Sequence, residues 1–195
     1  MYELISRLRP GAISTRIRRT AATLAVVATV AGGSAGLAAA PAMADTASYN
    51  GLTSTSNWYS LDVSGASTSL FAPIDVWYYN GNANQQFTYP ENNGQVAEIE
   101  AQNSGMCITT DGTAGDVLFQ APCFNGVAQQ WEAETWTAWW NPGKTMVTFL
   151  NPWSGLVMDV ENNSYSPGAS VDGWYPNGGL NQSWTLPACD NEYLC

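Results

Sequence analysis

Histidine is absent from all 195 residues, and basic residues nearly so. Five of the six arginines and lysines lie before residue 20, leaving Lys144 alone in the rest of the chain. Of the sixteen acidic residues, all but Glu3 lie in that remainder. Such a surface cannot assemble the basic face that nucleic acid or an anionic membrane demands, so neither is expected as a partner. Without histidine the commonest acid–base group and metal ligand is missing, and the four cysteines have no Cys-x-x-Cys spacing. No metal and no cofactor is therefore expected. Beyond residue 45 no Gly-x-Ser-x-Gly element of the acyl-transfer hydrolases occurs. Helical periodicity is lacking as well. Beyond residue 45, Gly, Asn, Pro, Ser and Asp interrupt the chain every few residues, with Trp, Tyr, Val and Thr between them, as in short strands joined by turns.

The arginines that are present have a place. Arg7, Arg9, Arg16, Arg18 and Arg19 precede an apolar run from Ala21 to Ala40, and Ala42-Met43-Ala44 supplies small residues of the kind signal peptidase reads. Residues 1–44 are expected to be a secretory signal peptide and the product to be secreted to the extracellular side. A membrane anchor is the competing reading, disfavoured by the Ala and Gly content of the run and by its end at Pro41. Arg18-Arg19 hints weakly at the twin-arginine route. In an exported chain the four cysteines read as two disulfides, for which three pairings exist, and local closure favours Cys107 with Cys123 and Cys189 with Cys195.

The exported part repeats itself. NQQF at 84–87, AQQW at 128–131 and NQSW at 181–184 are versions of one element, 44 and 53 residues apart. Upstream stand SLDV at 60–63, CITT at 107–110 and VMDV at 157–160. From Asp62 the chain reaches Asp75, Trp77, Asn84 and Gln85 after 13, 15, 22 and 23 residues, and from Asp159 it reaches Asp172, Trp174, Asn181 and Gln182 after the same intervals. Three such units, each too small to bury its own apolar face, predict one threefold all-β structure with a shared core, a β-trefoil in which a hairpin cap covers a closed barrel. The repeats are expected at about 58–101, 102–151 and 152–195. Residues 45–57 read as a polar lead-in, mobile or added as an edge strand. The segment 135–145, with Trp136, Trp139 and Trp140, is either a hairpin packed on the barrel or an exposed aromatic patch, and packing is favoured.

With its Leu-Asp-Val-like starts and Gln-x-Trp ends, the chain resembles the ricin-type β-trefoil lectins and carbohydrate-binding modules over about residues 58–187. The residues themselves suit a sugar: an ionised Asp accepts hydrogen bonds from two hydroxyls, an Asn donates and accepts, and an indole covers a C–H face. Asp62, Trp77 and Asn84 form one such set and Asp159, Trp174 and Asn181 another, and the resemblance implies the same roles. Gln85 and Gln182 are expected to support the sites. Asp75 and Asp172 stand where many relatives have Gln, to touch the ligand or to orient the loop, and this departure bears on which sugar fits. The second repeat has Thr109, Ala121 and Ala128 in place of Asp, Trp and Asn, and its loop is three residues shorter. That lobe is expected to be structural, held by Cys107–Cys123.

The reading is therefore a non-enzymatic lectin with two shallow sites and a glycan or polysaccharide as partner. It leaves open a homo-oligomer or a separately secreted protein alongside. A glycosidase built on a pair such as Asp62 and Asp75 is disfavoured, because nothing singles out two acids around a bound linkage. A trefoil that recognises protein is the alternative, and it would have no reason to keep Asp, Trp and Asn at one spacing in two copies.

Overall fold

The computed structural model describes residues 50–140 and 144–185. Expectations for the signal peptide and for Cys189–Cys195 lie outside those residues. In the first repeat the strands are β1 (Thr53–Ser54), β2 (Ser60–Val63), β3 (Ile74–Trp77) and β4 (Phe87–Thr88). In the second, β5 (Val96–Ala97) and β6 (Glu100–Ala101) are halves of one interrupted strand, followed by β7 (Met106–Thr109), β8 (Phe119–Pro122) and β9 (Trp131–Thr137). The third has β10 (Thr145–Asn151), β11 (Leu156–Val160), β12 (Ala169–Trp174) and β13 (Trp184–Thr185). Among the described residues the helical segments are single 3-10 turns.

The first and last strands of the repeats form a ring. β1 pairs with β13, β13 with β10, β10 with β9, β9 with β5, and β6 with β4. Phe87 of β4 then bridges Asn50, just ahead of β1, through two reciprocal 2.8 Å backbone bonds. The middle strands make three hairpins, β2–β3, β7–β8 and β11–β12, that meet one another through Ser170–Asp75, Pro73–Phe119 and Val117–Asp172. This is the β-trefoil.

Alternation along the strands fills the core in threefold sets. Leu52, Ile99 and Phe149 form one, Leu61, Ile108 and Met158 a second, Ile74, Leu118 and Val171 a third, and Phe87, Trp131 and Trp184 a fourth, all with no solvent exposure. Each fully buried side chain contributes about 1.5–3 kcal/mol of transfer free energy, so the Gln-x-aromatic element is explained by packing. The indole N–H of Trp131 donates to the Ile108 carbonyl at 3.1 Å, and that of Trp184 to the Met158 carbonyl at 3.4 Å.

Two segments differ from expectation. Within the supposed lead-in, Leu52 is fully buried and β1 sits between β2 and β13. The first repeat thus opens at residue 50, its apolar signal reduced to one leucine among polar residues. The 135–145 segment prolongs the β9–β10 hairpin, paired as far as Thr137 with Thr145. Packing holds for the half-buried Trp136 but not at the tip, where Trp139 is 86% exposed and Trp140 is also exposed. Trp140 packs edge-to-face on both Trp136 and Trp139, with centroids 6.0 and 5.6 Å apart.

Candidate carbohydrate-binding site

Strand alternation aims the first site. Leu61 and Val63 point into the core, so Asp62 between them points the other way, and on β3 Ile74 and Val76 do the same for Asp75 and Trp77. The β2–β3 register sets Asp62 opposite Asp75 and Ser60 opposite Trp77. An Asn80-Gly81 turn, in which the Asn80 carboxamide oxygen accepts the Asn82 N–H at 2.8 Å, leads into the 3-10 turn Ala83–Gln85. Asn84 and Gln85 thereby return over Asp62. β11, β12 and the turn Leu180–Gln182 build the same arrangement around Asp159 and Asp172. The structure brings all ten sequence-predicted residues together as two groups of five.

The amides are more committed than the sequence suggests. Gln85 donates to Asp62 Oδ2 at 2.8 Å and to the Tyr78 carbonyl at 2.9 Å, while its own oxygen accepts the Asn80 N–H at 2.8 Å. Gln182 repeats this with Asp159 Oδ2, the Tyr175 carbonyl and the Asn177 N–H. Gln129 does so in the second repeat with the Thr109 hydroxyl, the Pro122 carbonyl and the Phe124 N–H. The glutamine is a strut of the loop in all three repeats. Asn84 spends its amide hydrogens on Asp62 Oδ2 at 2.8 Å and the Val63 carbonyl at 3.3 Å, and Asn181 on Asp159 Oδ1 and the Val160 carbonyl. The expectation that these asparagines both donate to and accept from a ligand is corrected: what remains to them is the oxygen.

Each site is a cavity with an aromatic wall. The first, about 280 Å³, is lined by Asp62, Ser64, Asp75, Trp77, Asn80 and Asn84 among others. The second, about 380 Å³, includes Asp159, Glu161, Asp172, Trp174 and Asn181. These are near the small end of ligand pockets, roughly 300 Å³. Trp77 and Trp174 remain 43% and 42% exposed.

Two glycines missed in the sequence hold those walls. Trp77 lies against Gly168 of the third repeat, and Trp174 against Gly115 of the second, each so close that a Cβ would stand 3.2 Å from the indole. Both glycines have positive φ, +82° and +89°. The equivalent residue of the first repeat is Phe71, also at positive φ, and the wall it would support is Ala121. Phe71 instead packs edge-to-face on Phe119, 5.4 Å between centroids. A glycine thus accompanies each tryptophan, a signal legible only once the repeats are aligned. Gly168→Ala and Gly155→Ala both place a side chain at positive φ, +82° and +71°, but space around Gly155 is empty. Each is expected to lose about 1–2 kcal/mol of stability, whereas near-ultraviolet dichroism should change in Gly168→Ala alone. Equal spectra would mean that Trp77 does not rest on this glycine.

Burial and like charge act together on the carboxylates. Asp62 is 4% exposed and Asp159 and Asp172 are each 3% exposed. Burial first, then the charge of Asp75, pushes Asp62 up to about 6, against the hydrogen bonds from Gln85 and Asn84 that lower it. Burial, Asp159 and Glu161 push Asp172 up to about 7. Asp75 and Asp159 are raised as well, by burial. Each pair therefore holds a proton more tightly than a lone carboxylate does.

In the second repeat the same positions carry Thr109, Phe119, Ala121 and Ala128. Thr109 bonds to Gln129 and to the Cys107 carbonyl, and Cys107 is joined to Cys123 in a disulfide. Neither a carboxylate nor an indole stands there.

Residues 50–184 match the family described as ricin-type beta-trefoil lectin domain. The chain belongs to that family. Among solved structures, the designed threefold protein ThreeFoil is 30% identical, covering 71% of this chain and 96% of its own, with a TM-score of 0.63. The exo-beta-1,3-galactanase 1,3Gal43A of Clostridium thermocellum is 27% identical over 73% of this chain but only 30% of its own, at a TM-score of 0.63. The ricin B-like lectin of Macrolepiota procera, solved with lactose, shares the fold at 22% identity, covering 71% and 93%, TM-score 0.53. No curated protein sequence matches. Membership of this lectin family supports carbohydrate binding in general for the chain.

Proposed function

We propose that this protein is an exported, non-enzymatic lectin that holds sugars in two sites, one at Asp62, Asp75, Trp77 and Asn84 and the other at Asp159, Asp172, Trp174 and Asn181. The observation that carries the reading is the joint presence of a buried carboxylate, an amide oxygen and a half-exposed indole around one small cavity in two repeats, with joint loss in the third. Asp62 and Asp75 are neighbours on one sheet face. A glycosidase needs its two acids on either side of the scissile bond, so the pairs favour binding over hydrolysis. The sequence of the first 44 residues supports export, and no helix among the described residues is long and apolar enough to cross a membrane. Two sites on different repeats let one molecule bridge two glycans, so avidity on a polysaccharide should exceed the affinity for a monosaccharide.

The test is a screen of residues 45–195 against arrayed glycans and insoluble polysaccharides, beside the double variant Trp77→Ala, Trp174→Ala. Retention on at least one carbohydrate is expected, with a loss of more than about tenfold in the variant, or about 1.4 kcal/mol. Because both rings are half exposed, the melting temperature should hold. A folded protein that binds no glycan would overturn the reading. Recognition of another protein would then be favoured by the exposed Trp139 and Trp140.

A further inference from the structure

We propose that both sites select a sugar carrying a protonated primary amine, such as a 2-amino-2-deoxyhexose, over its neutral counterpart. This rests on the carbohydrate reading and names the ligand class of the same sites.

On the floor of the first site Asp62, Asp75, Asn84 and Gln85 leave only acceptors for a ligand, and the carboxamides of Asn80 and Asn82 line its exposed rim. Both amide hydrogens of Asn84 and both of Gln85 are spent on Asp62 Oδ2 and on backbone carbonyls. Two buried acceptors have no partner, Asp75 Oδ1 and Asn84 Oδ1, the latter on a side chain 4% exposed. Asp62 accepts from both amides through Oδ2, which leaves Oδ1 for a ligand. In the third repeat, Asp172 Oδ1 is likewise buried without a partner, on a residue 3% exposed. There Glu161 stands where the first site has Ser64, adding a third carboxylate to the lining. No lysine or arginine lines either cavity.

A hydroxyl donates one hydrogen and brings lone pairs that need donors of their own. An ammonium donates three hydrogens, needs no donor, and its charge offsets the repulsion between the paired carboxylates. Two carboxylates directly opposite on adjacent strands cost stability. Both repeats with an indole wall carry such a pair, while the repeat without one has Phe119 instead. A divalent cation is served less well. Among the described residues, the one group of three closely placed metal-ligating side chains is Glu98 with Cys107 and Cys123, whose sulfurs form the disulfide. The indole beside each pair and the lectin family point to a sugar amine rather than a lysine side chain.

The test compares glucosamine, N-acetylglucosamine, glucose and Nα-acetyl-lysine amide by NMR titration of residues 45–195 at pH 7 in physiological salt. Glucosamine is expected to bind at least about fivefold tighter than the other three, a preference of about 1 kcal/mol. Asp75→Asn with Asp172→Asn should weaken glucosamine at least about fivefold more than it weakens glucose, removing the preference, and the exposed Glu91→Gln should leave the preference intact. Equal affinity for the three sugars, with retention on polysaccharide lost in the Trp77, Trp174 variant, would overturn the amine preference and leave the lectin reading standing. A preference that survives both Asn substitutions would overturn it too, as would acetyl-lysine amide binding as tightly as glucosamine. Absence of binding here and in the glycan screen would overturn both readings.

Discussion

Writing the second repeat into the first and third, as Asp62→Thr with Asn84→Ala and Asp159→Thr with Asn181→Ala, is expected to lower carbohydrate retention more than about a hundredfold, or about 3 kcal/mol, while the fold persists. Thr109 already shows that a hydroxyl can anchor the glutamine strut, at 2.9 Å from Gln129. Removing the asparagine with the aspartate leaves no amide stranded. By contrast, Asp62→Ala with Asp159→Ala strands two amide groups in each site, and each unsatisfied buried donor costs about 1–3 kcal/mol. Relief of the carboxylate pair offsets part of that loss. The alanine pair should therefore lose binding and also melt roughly 5–10 °C lower, and the threonine set should lose binding with a smaller shift. Pull-down on the polysaccharide identified by screening, run beside thermal denaturation, separates the two. Full retention by the threonine set would remove the aspartates from the binding site.

Trp184→Ala is expected to be the most damaging single change to the fold. The ring is fully buried, belongs to the innermost aromatic set with Phe87 and Trp131, and lies on β13, which joins β1 to β10. Truncating a buried tryptophan costs about 3–5 kcal/mol, a large share of the roughly 5–15 kcal/mol that holds a domain together. The loss of the bond to the Met158 carbonyl adds to it. The melting temperature should fall by more than about 10 °C. Trp184→Phe imitates Phe87 of the first repeat and should recover most of that loss. Similar melting temperatures for Trp184→Ala and the unaltered protein would contradict the shared-core account.

The sequence by itself determined the architecture and the composition of the two candidate sites. Repetition at near-constant spacing can be read without coordinates, and the loss of Asp, Trp and Asn together from one repeat marks which lobes differ. The pairing of Cys107 with Cys123 was legible as local closure, one option among three. What only the tertiary structure decided depends on contacts between repeats or on where hydrogens go. β1 is flanked by one buried apolar residue, Leu52, and its place in the ring is set by pairing with β13, 130 or more residues away. The hairpin tip exposes Trp139 because β9 and β10 run beyond the core, whereas composition alone suggested that a tryptophan cluster would be covered. Gly115 and Gly168 matter through indoles of neighbouring repeats. The strand register set two carboxylates side by side, and the loop geometry consumed the amide hydrogens of Asn84, Gln85, Asn181 and Gln182, leaving acceptors on the floor of each cavity. A sequence names its polar groups; which of them already have partners is settled by folding.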